Sequence, residues 1–276
     1  MLFCRFDYQP CLVLSHNNHE IYPSLCQYHE FQSNQKNPLF QLHLESLLPS
    51  AEIREIPFLT LFENFDEKTR KFKKINSIEA VLEENDFLES ERYAWLLDPS
   101  INGGGVWLDT GVHMMHLLYM VGAKMTDVIS AKSYKYQFPT GDKRNEFIKS
   151  ETAADVFLDI DGNDGRVAPN AFAHIRLGKC MPKSQKYFKV SFEKGEVFLD
   201  FENNSISYTD RAGPKAKFKE EILPKVKPYY NMVSAFVNYM NNGKIPPTTM
   251  PKVKESTDAV FRVYSKMIEG DPRQYY

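Results

Sequence analysis

Glycine is the residue this sequence most conspicuously withholds. Only 13 of 276 residues are glycine, and the first stands at position 103. No G-x-G-x-x-G or G-x-x-x-x-G-K-[ST] loop precedes that point, and none follows it. A dinucleotide held on a helix N-terminus needs glycine so that the backbone can approach the pyrophosphate. The usual Rossmann or P-loop cradle is therefore absent by composition. A surplus of either charge is missing too: 34 Lys and Arg against 36 Asp and Glu leave a net −2. Without a basic excess there is no electrostatic footprint for nucleic acid, and no nucleic-acid partner is expected. Long apolar runs are also lacking. The best, Val106 to Ala123, is interrupted by Asp109, His113 and His116, so no membrane span is expected. Arg5 and Asp7 fall where the apolar core of a signal peptide would lie. The four cysteines, Cys4, Cys11, Cys26 and Cys180, form no C-x-x-C pair and no disulfide framework. They read as reduced thiols of a cytoplasmic protein.

What is present is globular: 42% hydrophobic and 13% aromatic residues, spread along the whole length. Cys11–Ser15 suggests a short strand, Pro38–Leu48 a short helix and Glu52–Phe65 a strand. Phe65–Glu91 is densely charged and reads as a solvated loop with a surface helix near Ser77–Glu84. From Met125 onward strands are expected at Val128–Phe138, Thr152–Ile160, Ala168–Leu177, Tyr187–Phe192, Glu196–Phe201, Ser205–Thr209 and Ala216–Ile222. Turn clusters such as Asp161–Gly165 and Glu193–Gly195 separate them. Strands joined by tight turns pair antiparallel, because parallel pairs need long crossovers. Helices are expected at Tyr229–Asn241 and Val253–Ile268, each stopped by a nearby glycine. The fold class that follows is α+β: an open, predominantly antiparallel β-sheet with helices packed on one face.

One segment stands apart. Trp95-Leu-Leu-Asp-Pro-Ser-Ile-Asn-Gly-Gly-Gly-Val-Trp-Leu-Asp-Thr-Gly-Val-His-Met-Met-His ends a loop in three glycines and opens a helix near Val106. At 100° per residue Asp109, His113, His116 and Met120 share a stripe, while Trp107, Met114, Leu118 and Val121 cover the opposite side. A helix apolar nearly all round is buried, and its polar stripe must find partners or line a cavity. Three readings are open: a core helix whose Asp and His satisfy one another, a carboxylate and imidazole arranged for acid–base chemistry, or a three-ligand metal site.

The string Gly103-Gly-Gly-x-x-x-Asp109-x-Gly111-x-His113 resembles a signature of the glucose–fructose oxidoreductase / inositol dehydrogenase / rhizopine catabolism (Gfo/Idh/MocA) family, where it lies in the C-terminal α/β domain. Trp95 with Asp98-Pro99 resembles the lead-in, Glu151-Thr-Ala the family's sheet, and Phe192-Glu-Lys-Gly-Glu-Val a family hairpin. Phe236–Gly243 and Val253–Gly270 resemble its closing helices, so the likeness runs from about Glu52 to Gly270. It implies an oxidoreductase-like domain that binds a sugar or polyol. His113 would act as acid/base on the reacting hydroxyl, with Asp109 beside it and His116, Trp95 and Tyr22 on the substrate. Tyr22 enters because Cys11–Pro23 resembles a final Rossmann strand and its Asn…Tyr-Pro exit, with His16, Asn17 and His19 on the same rim.

The departures from the family are specific. No Glu-Lys-Pro occurs, so the family's catalytic lysine has no counterpart; Leu96 stands where an arginine commonly follows the tryptophan; His116 replaces a frequent aspartate. Residues 1–50 are therefore read as a short N-terminal segment with a Rossmann remnant, and 51–276 as the substrate and oligomerisation domain. The chain alone is expected to bind no cofactor; NAD(P) would enter with a Rossmann domain supplied by a partner, and catalysis with it. The alternative is a non-catalytic scaffold that forms a homo-oligomer through a sheet face rich in Phe157, Phe172, Phe188, Phe192 and Phe198.

Overall fold

The computed structural model describes residues 69–85, 98–146, 148–162, 165–211, 213, 215–222, 237–243 and 250–275. The elements expected at 11–15, 38–48 and 52–65, the residues Tyr22 and Trp95, and the division at 50/51 lie outside them.

Among the described residues, nine strands form one open sheet: β1 (Ile75–Glu83), β2 (Lys124–Tyr134), β3 (Ala153–Asp161), β4 (Val167–Gly178), β5 (Gln185–Phe192), β6 (Gly195–Asp200), β7 (Ser205–Asp210), β8 (Lys217–Ile222) and β9 (Ile268–Glu269). Their order across the sheet is β8-β7-β6-β5-β1-β4-β3-β2-β9. Only β1 with β4 and β2 with β9 run parallel. The hairpins form as their turn residues dictate: Phe192 faces Gly195 across the Glu193-Lys194 turn. Seven strands expected from the sequence appear within a few residues of their anticipated bounds.

The first strand corrects the reading of 77–84 as a surface helix. Ile75–Glu83 is the central strand, parallel to β4 on one side and antiparallel to β5 on the other. Ile75, Ile78, Ala80 and Val81 are wholly buried. Most of the charges that suggested a solvated loop lie at its two ends, Lys71 to Lys74 before it and Glu83-Glu84 at and just past its last residue, with Glu79 alone inside it. Ala80 and Glu79 favour helix intrinsically, but two flanking ladders and burial on both faces override that preference.

The alternating side chains Val156, Leu158 and Ile160 of β3, Ala173, Ile175 and Leu177 of β4, and Phe188, Val190 and Phe192 of β5 join one core. Helices cover it: α1 (Val112–Met120) and α2 (Met250–Tyr264) pack against each other and contribute Met114, Met115, Leu118, Ala259, Val260 and Val263. Each such fully buried large side chain contributes roughly 1.5–3 kcal/mol. The last helix ends at Tyr264, short of the expected Ile268; Ile268-Glu269 instead extends the sheet beside Lys132-Ser133 of β2. Residues 237–242, which overlap the helix expected at 229–241 and run one residue past it, are helical.

The five phenylalanines do not share a face. Phe188 and Phe192 lie under the helices at 0% and 4% exposure, whereas Phe157, Phe172 and Phe198 point to the open side. The pleat explains it, because residues two apart share a side and Phe198 sits opposite Lys189, not Phe188. The open side is polar between its aromatics. His174 stacks on Phe157 at 3.9 Å and contacts Asp155 at 2.7 Å, while Tyr187 donates to Glu79 at 2.7 Å.

Candidate functional site

Asp98 begins the approach to the site. Its carboxylate caps Ser100 N at 3.0 Å, with Pro99 in the first position of a short helix, Pro99–Asn102. The glycine loop follows and enters a π turn, Trp107–Gly111, that runs directly into α1. The backbone N–H groups at this helix start are already spoken for. Gly105 N and Trp107 N donate to Glu151 Oε1 at 3.0 and 3.2 Å, and Val106 N donates to the Glu151 carbonyl at 3.1 Å. Gly105 N and Leu108 N also reach the Tyr264 hydroxyl at 3.2 and 3.1 Å. Closeness is why Gly105 is glycine: a Cβ there would lie 2.2 Å from the Glu151 carbonyl oxygen. Gly111 likewise leaves room for the Trp107 indole, whose ring would stand 2.9 Å from a Cβ. Trp107 is fully buried and donates Nε1–H to Val260 O of α2 at 3.2 Å.

The polar stripe sits on this frame. Asp109 is 5% exposed, and Oδ2 accepts only a long 3.4 Å bond from Thr110. Its Oδ1 is sealed from solvent without a hydrogen-bond partner among the described residues, and so is His113 Nε2. An unmet buried polar atom costs about 1–3 kcal/mol, so two on one turn of helix are not incidental to the fold's stability. Burial pushes the Asp109 carboxyl above its ordinary range, opposed by the Lys179 ammonium and the Thr110 hydroxyl and reinforced by Glu84. Burial, with the neighbouring charge of His116, pushes the His113 imidazole down to about 4, so it is neutral near pH 7. His116 itself is tied toward α2, with Nδ1 3.5 Å from Ser256 Oγ.

The stripe thus divides. His116 acts on His113, while the charges acting on Asp109 come from the strand ends. The turn bearing Asp109 is a π turn, whose i→i+5 bonding holds one residue more than a regular 100° wheel assumes. Among the described residues no three His, Cys, Asp or Glu side chains converge as a metal site requires. Trp95 and Tyr22 fall outside the described residues.

Sequence reasoning missed a charged cluster at the end of β1 and β4. Glu84, 5% exposed, accepts from both Lys179 and Lys186, the latter at 2.7 Å. Burial raises the Glu84 carboxyl, but the two amines outweigh it and hold it below its usual value. These partners are 95 and 102 residues from Glu84, so no local spacing announces them.

The described residues do not fit a dinucleotide phosphate. The one glycine loop that opens a helix has its N–H groups taken by Glu151 and Tyr264, and the Glu151 carboxylate occupies the place an anion would need. No helix of the described residues is long and apolar enough to cross a membrane.

No family model matches the chain, and no curated protein sequence matches it. Solved structures do match its fold. An oxidoreductase domain protein from Kribbella flavida aligns with a TM-score of 0.62 at 16% identity, over 77% of this chain and 62% of that one. A 3-ketoreductase from Actinomadura kijaniata, in complex with NADP and TDP-benzene, aligns with a TM-score of 0.57 at 11% identity, over 79% and 61%. The UDP-N-acetylglucosamine 3-dehydrogenase GnnA from Acidithiobacillus ferrooxidans aligns with a TM-score of 0.55 at 15% identity, over 76% and 59%. The likeness to these structures is one of fold. The chain spans about three fifths of the length of these structures.

Proposed function

We propose that this chain is the sugar- or polyol-binding half of an oxidoreductase of the Gfo/Idh/MocA type, with Asp109 and His113 at its reactive centre and His116 beside the substrate. The observation that carries the reading is the pair of sealed, unpartnered atoms, Asp109 Oδ1 and His113 Nε2, on the helix start that bears the family-like string. Two hydroxyls of one polyol answer both: one donates to the carboxylate, and the other yields its proton to the neutral imidazole nitrogen. The tautomer with its proton on Nδ1 leaves Nε2 the acceptor. The fold relatives that act on sugar nucleotides or bind NADP support the class of substrate. A nicotinamide, which would accept the hydride, belongs in this reading to a separate nucleotide-binding unit.

The experiment is a pair of titrations on the full chain. Saturation-transfer NMR against glucose, myo-inositol and UDP-N-acetylglucosamine is expected to show binding that Asp109→Asn and His113→Gln weaken. Nicotinamide fluorescence with NADH, up to about millimolar ligand, is expected to show no saturation, a limit near −4 kcal/mol. Absence of binding by every sugar and polyol would remove the substrate-domain reading. Saturable NADH binding would remove the half-enzyme part and leave the site.

A second reading, a non-catalytic scaffold that self-associates through the sheet, draws on Phe172, which is 42% exposed on the open face that also carries Phe157 and Phe198. A strictly monomeric chain in sedimentation velocity would dispose of it.

A further inference from the structure

Ser150 stands at the centre of a short strap laid across the stretch from Asp98 to Trp107. On one side of it, Lys149 Nζ binds Asp98 Oδ2 at 2.5 Å, ahead of the glycines. On the other, the Glu151 carboxylate takes Gly105 N and Trp107 N, and its carbonyl takes Val106 N, where the helix starts. Both neighbours are thus fixed to the loop, and Ser150 lies against its third glycine: a Cβ on Gly105 would stand 2.6 Å from Ser150 Oγ. Yet that hydroxyl is sealed from solvent and has no hydrogen-bond partner among the described residues. Thr152, two residues on, shows what a structural hydroxyl does in this segment. Its Oγ1 accepts from Tyr136 N at 2.8 Å and donates to Tyr134 O at 3.4 Å.

Position gives the unused hydroxyl a role. Asp109 N donates to Gly105 O at 3.1 Å, so Asp109 stands one turn beyond Gly105 on the same face. Helical side chains lean toward the N-terminus, which inclines Asp109 toward the turn against which Ser150 packs. Cβ positions one turn apart are about 5–6 Å from each other, a separation that a single sugar or polyol spans. The chemistry is complementary as well. Asp109 Oδ1, as a carboxylate oxygen, and His113 Nε2, as a neutral imidazole nitrogen, both accept. Neither offers a hydrogen to the lone pairs of a ligand oxygen, whereas a serine hydroxyl does.

We propose that Ser150 is the donor of the ligand site: its hydroxyl donates to an oxygen of the same sugar or polyol whose O–H groups are taken by Asp109 and His113. The inference rests on the reading of that pair as substrate-facing, and it narrows the ligand. Two O–H donors and a third, accepting oxygen must stand on one small frame, as they do on a sugar ring or a cyclitol and do not on a simple alcohol. A buried hydroxyl without a partner weakens the fold, so its removal separates a ligand-binding role from a structural one.

The test sets urea unfolding beside ligand titration, both on the full chain. Ser150→Ala is expected to keep the urea midpoint at or above that of wild type, whereas Thr152→Val, which removes a bonded hydroxyl, lowers it. In saturation-transfer NMR with glucose, myo-inositol and UDP-N-acetylglucosamine, Ser150→Ala is expected to weaken the binding that wild type shows by about 3- to 10-fold, the share of one neutral hydrogen bond. A midpoint that falls in Ser150→Ala overturns the proposal, because the hydroxyl is then bonded within the fold. Binding by wild type that Ser150→Ala leaves unchanged also overturns it, with the proposed function intact. A wild-type chain that binds none of the three removes the proposed function, and this inference with it.

Discussion

Tyr264 donates its hydroxyl hydrogen to Glu151 and accepts the backbone N–H of both Gly105 and Leu108. A residue at the end of α2 thus closes the first turn of the helix that carries Asp109 and His113. Orphan N–H groups at a helix start are met by water, a cap or a ligand; here a tyrosine and a glutamate meet them. Burial and the adjacent Glu151 carboxylate push the Tyr264 phenol far above its ordinary range, so it stays a donor throughout the accessible pH range.

Tyr264→Phe should therefore destabilise the chain by about 1–3 kcal/mol, because it strands the Leu108 N–H and removes one of three donors from Glu151 Oε1 while leaving the ring in place. Urea unfolding measures this. A loss below about 0.5 kcal/mol, the scatter of surface substitutions, would mean that water replaces the hydroxyl freely.

The glycine loop offers a contrast between two positions. A Cβ on Gly105 would meet the Glu151 carbonyl at 2.2 Å and Ser150 Oγ at 2.6 Å, whereas one on Gly141 meets nothing within 4 Å although its φ is +90°. Gly141→Ala should cost only the left-handed backbone penalty, about 1–2 kcal/mol. Gly105→Ala must push the loop off Glu151 and should cost more than about 3 kcal/mol, reported by thermal melts side by side. Equal losses would show that the loop relaxes without effort.

Much of this architecture was legible in the sequence where the physics is local. The hairpins around Glu193-Lys194 and the strands from 124 to 222 follow from turn residues and period-two burial. The helix start was legible because glycine, Asp109 and His113 stand out against apolar neighbours. The central strand was not. Its apolar run is short and bracketed by charge, and only pairing with strands about a hundred residues away makes it a strand. Lys179 and Lys186 escaped for the same reason: a lysine's partner in a sheet corner is set by topology, not spacing. The π turn also defeats a helical wheel, which assumes one angle per residue.

Glu83 illustrates the same long-range dependence on the open side of the sheet. It is 3% exposed, and Arg176 binds it through Nε at 3.1 Å and through Nη2 at 2.8 Å, with the Tyr275 hydroxyl 3.0 Å away. Arg176→Met leaves a buried carboxylate with one neutral donor and should cost about 3 kcal/mol. Glu83→Gln in the same chain removes the stranded charge and should recover part of that loss. Additive losses in a double-mutant cycle by urea unfolding would show that the two side chains act independently.

His113 makes the fold sensitive to acid in a defined direction. Its imidazole is held down to about 4 in the folded chain against 6.5 when free, with burial the main cause. The unfolded chain therefore takes up a proton between these values and the folded chain does not. Stability from this group is complete above pH 6.5 and falls as the pH drops toward 4, by on the order of 3 kcal/mol. Asp109 works oppositely: its raised carboxyl binds protons in the folded state first, so its contribution grows as the pH falls. Comparing His113→Gln with wild type cancels the Asp109 contribution, which both chains carry. Urea midpoints between pH 7 and pH 4.5 should fall more steeply for wild type than for His113→Gln. Parallel pH curves would mean that His113 takes a proton as readily in the folded chain as in the unfolded one, and that its Nε2 is not sealed in solution.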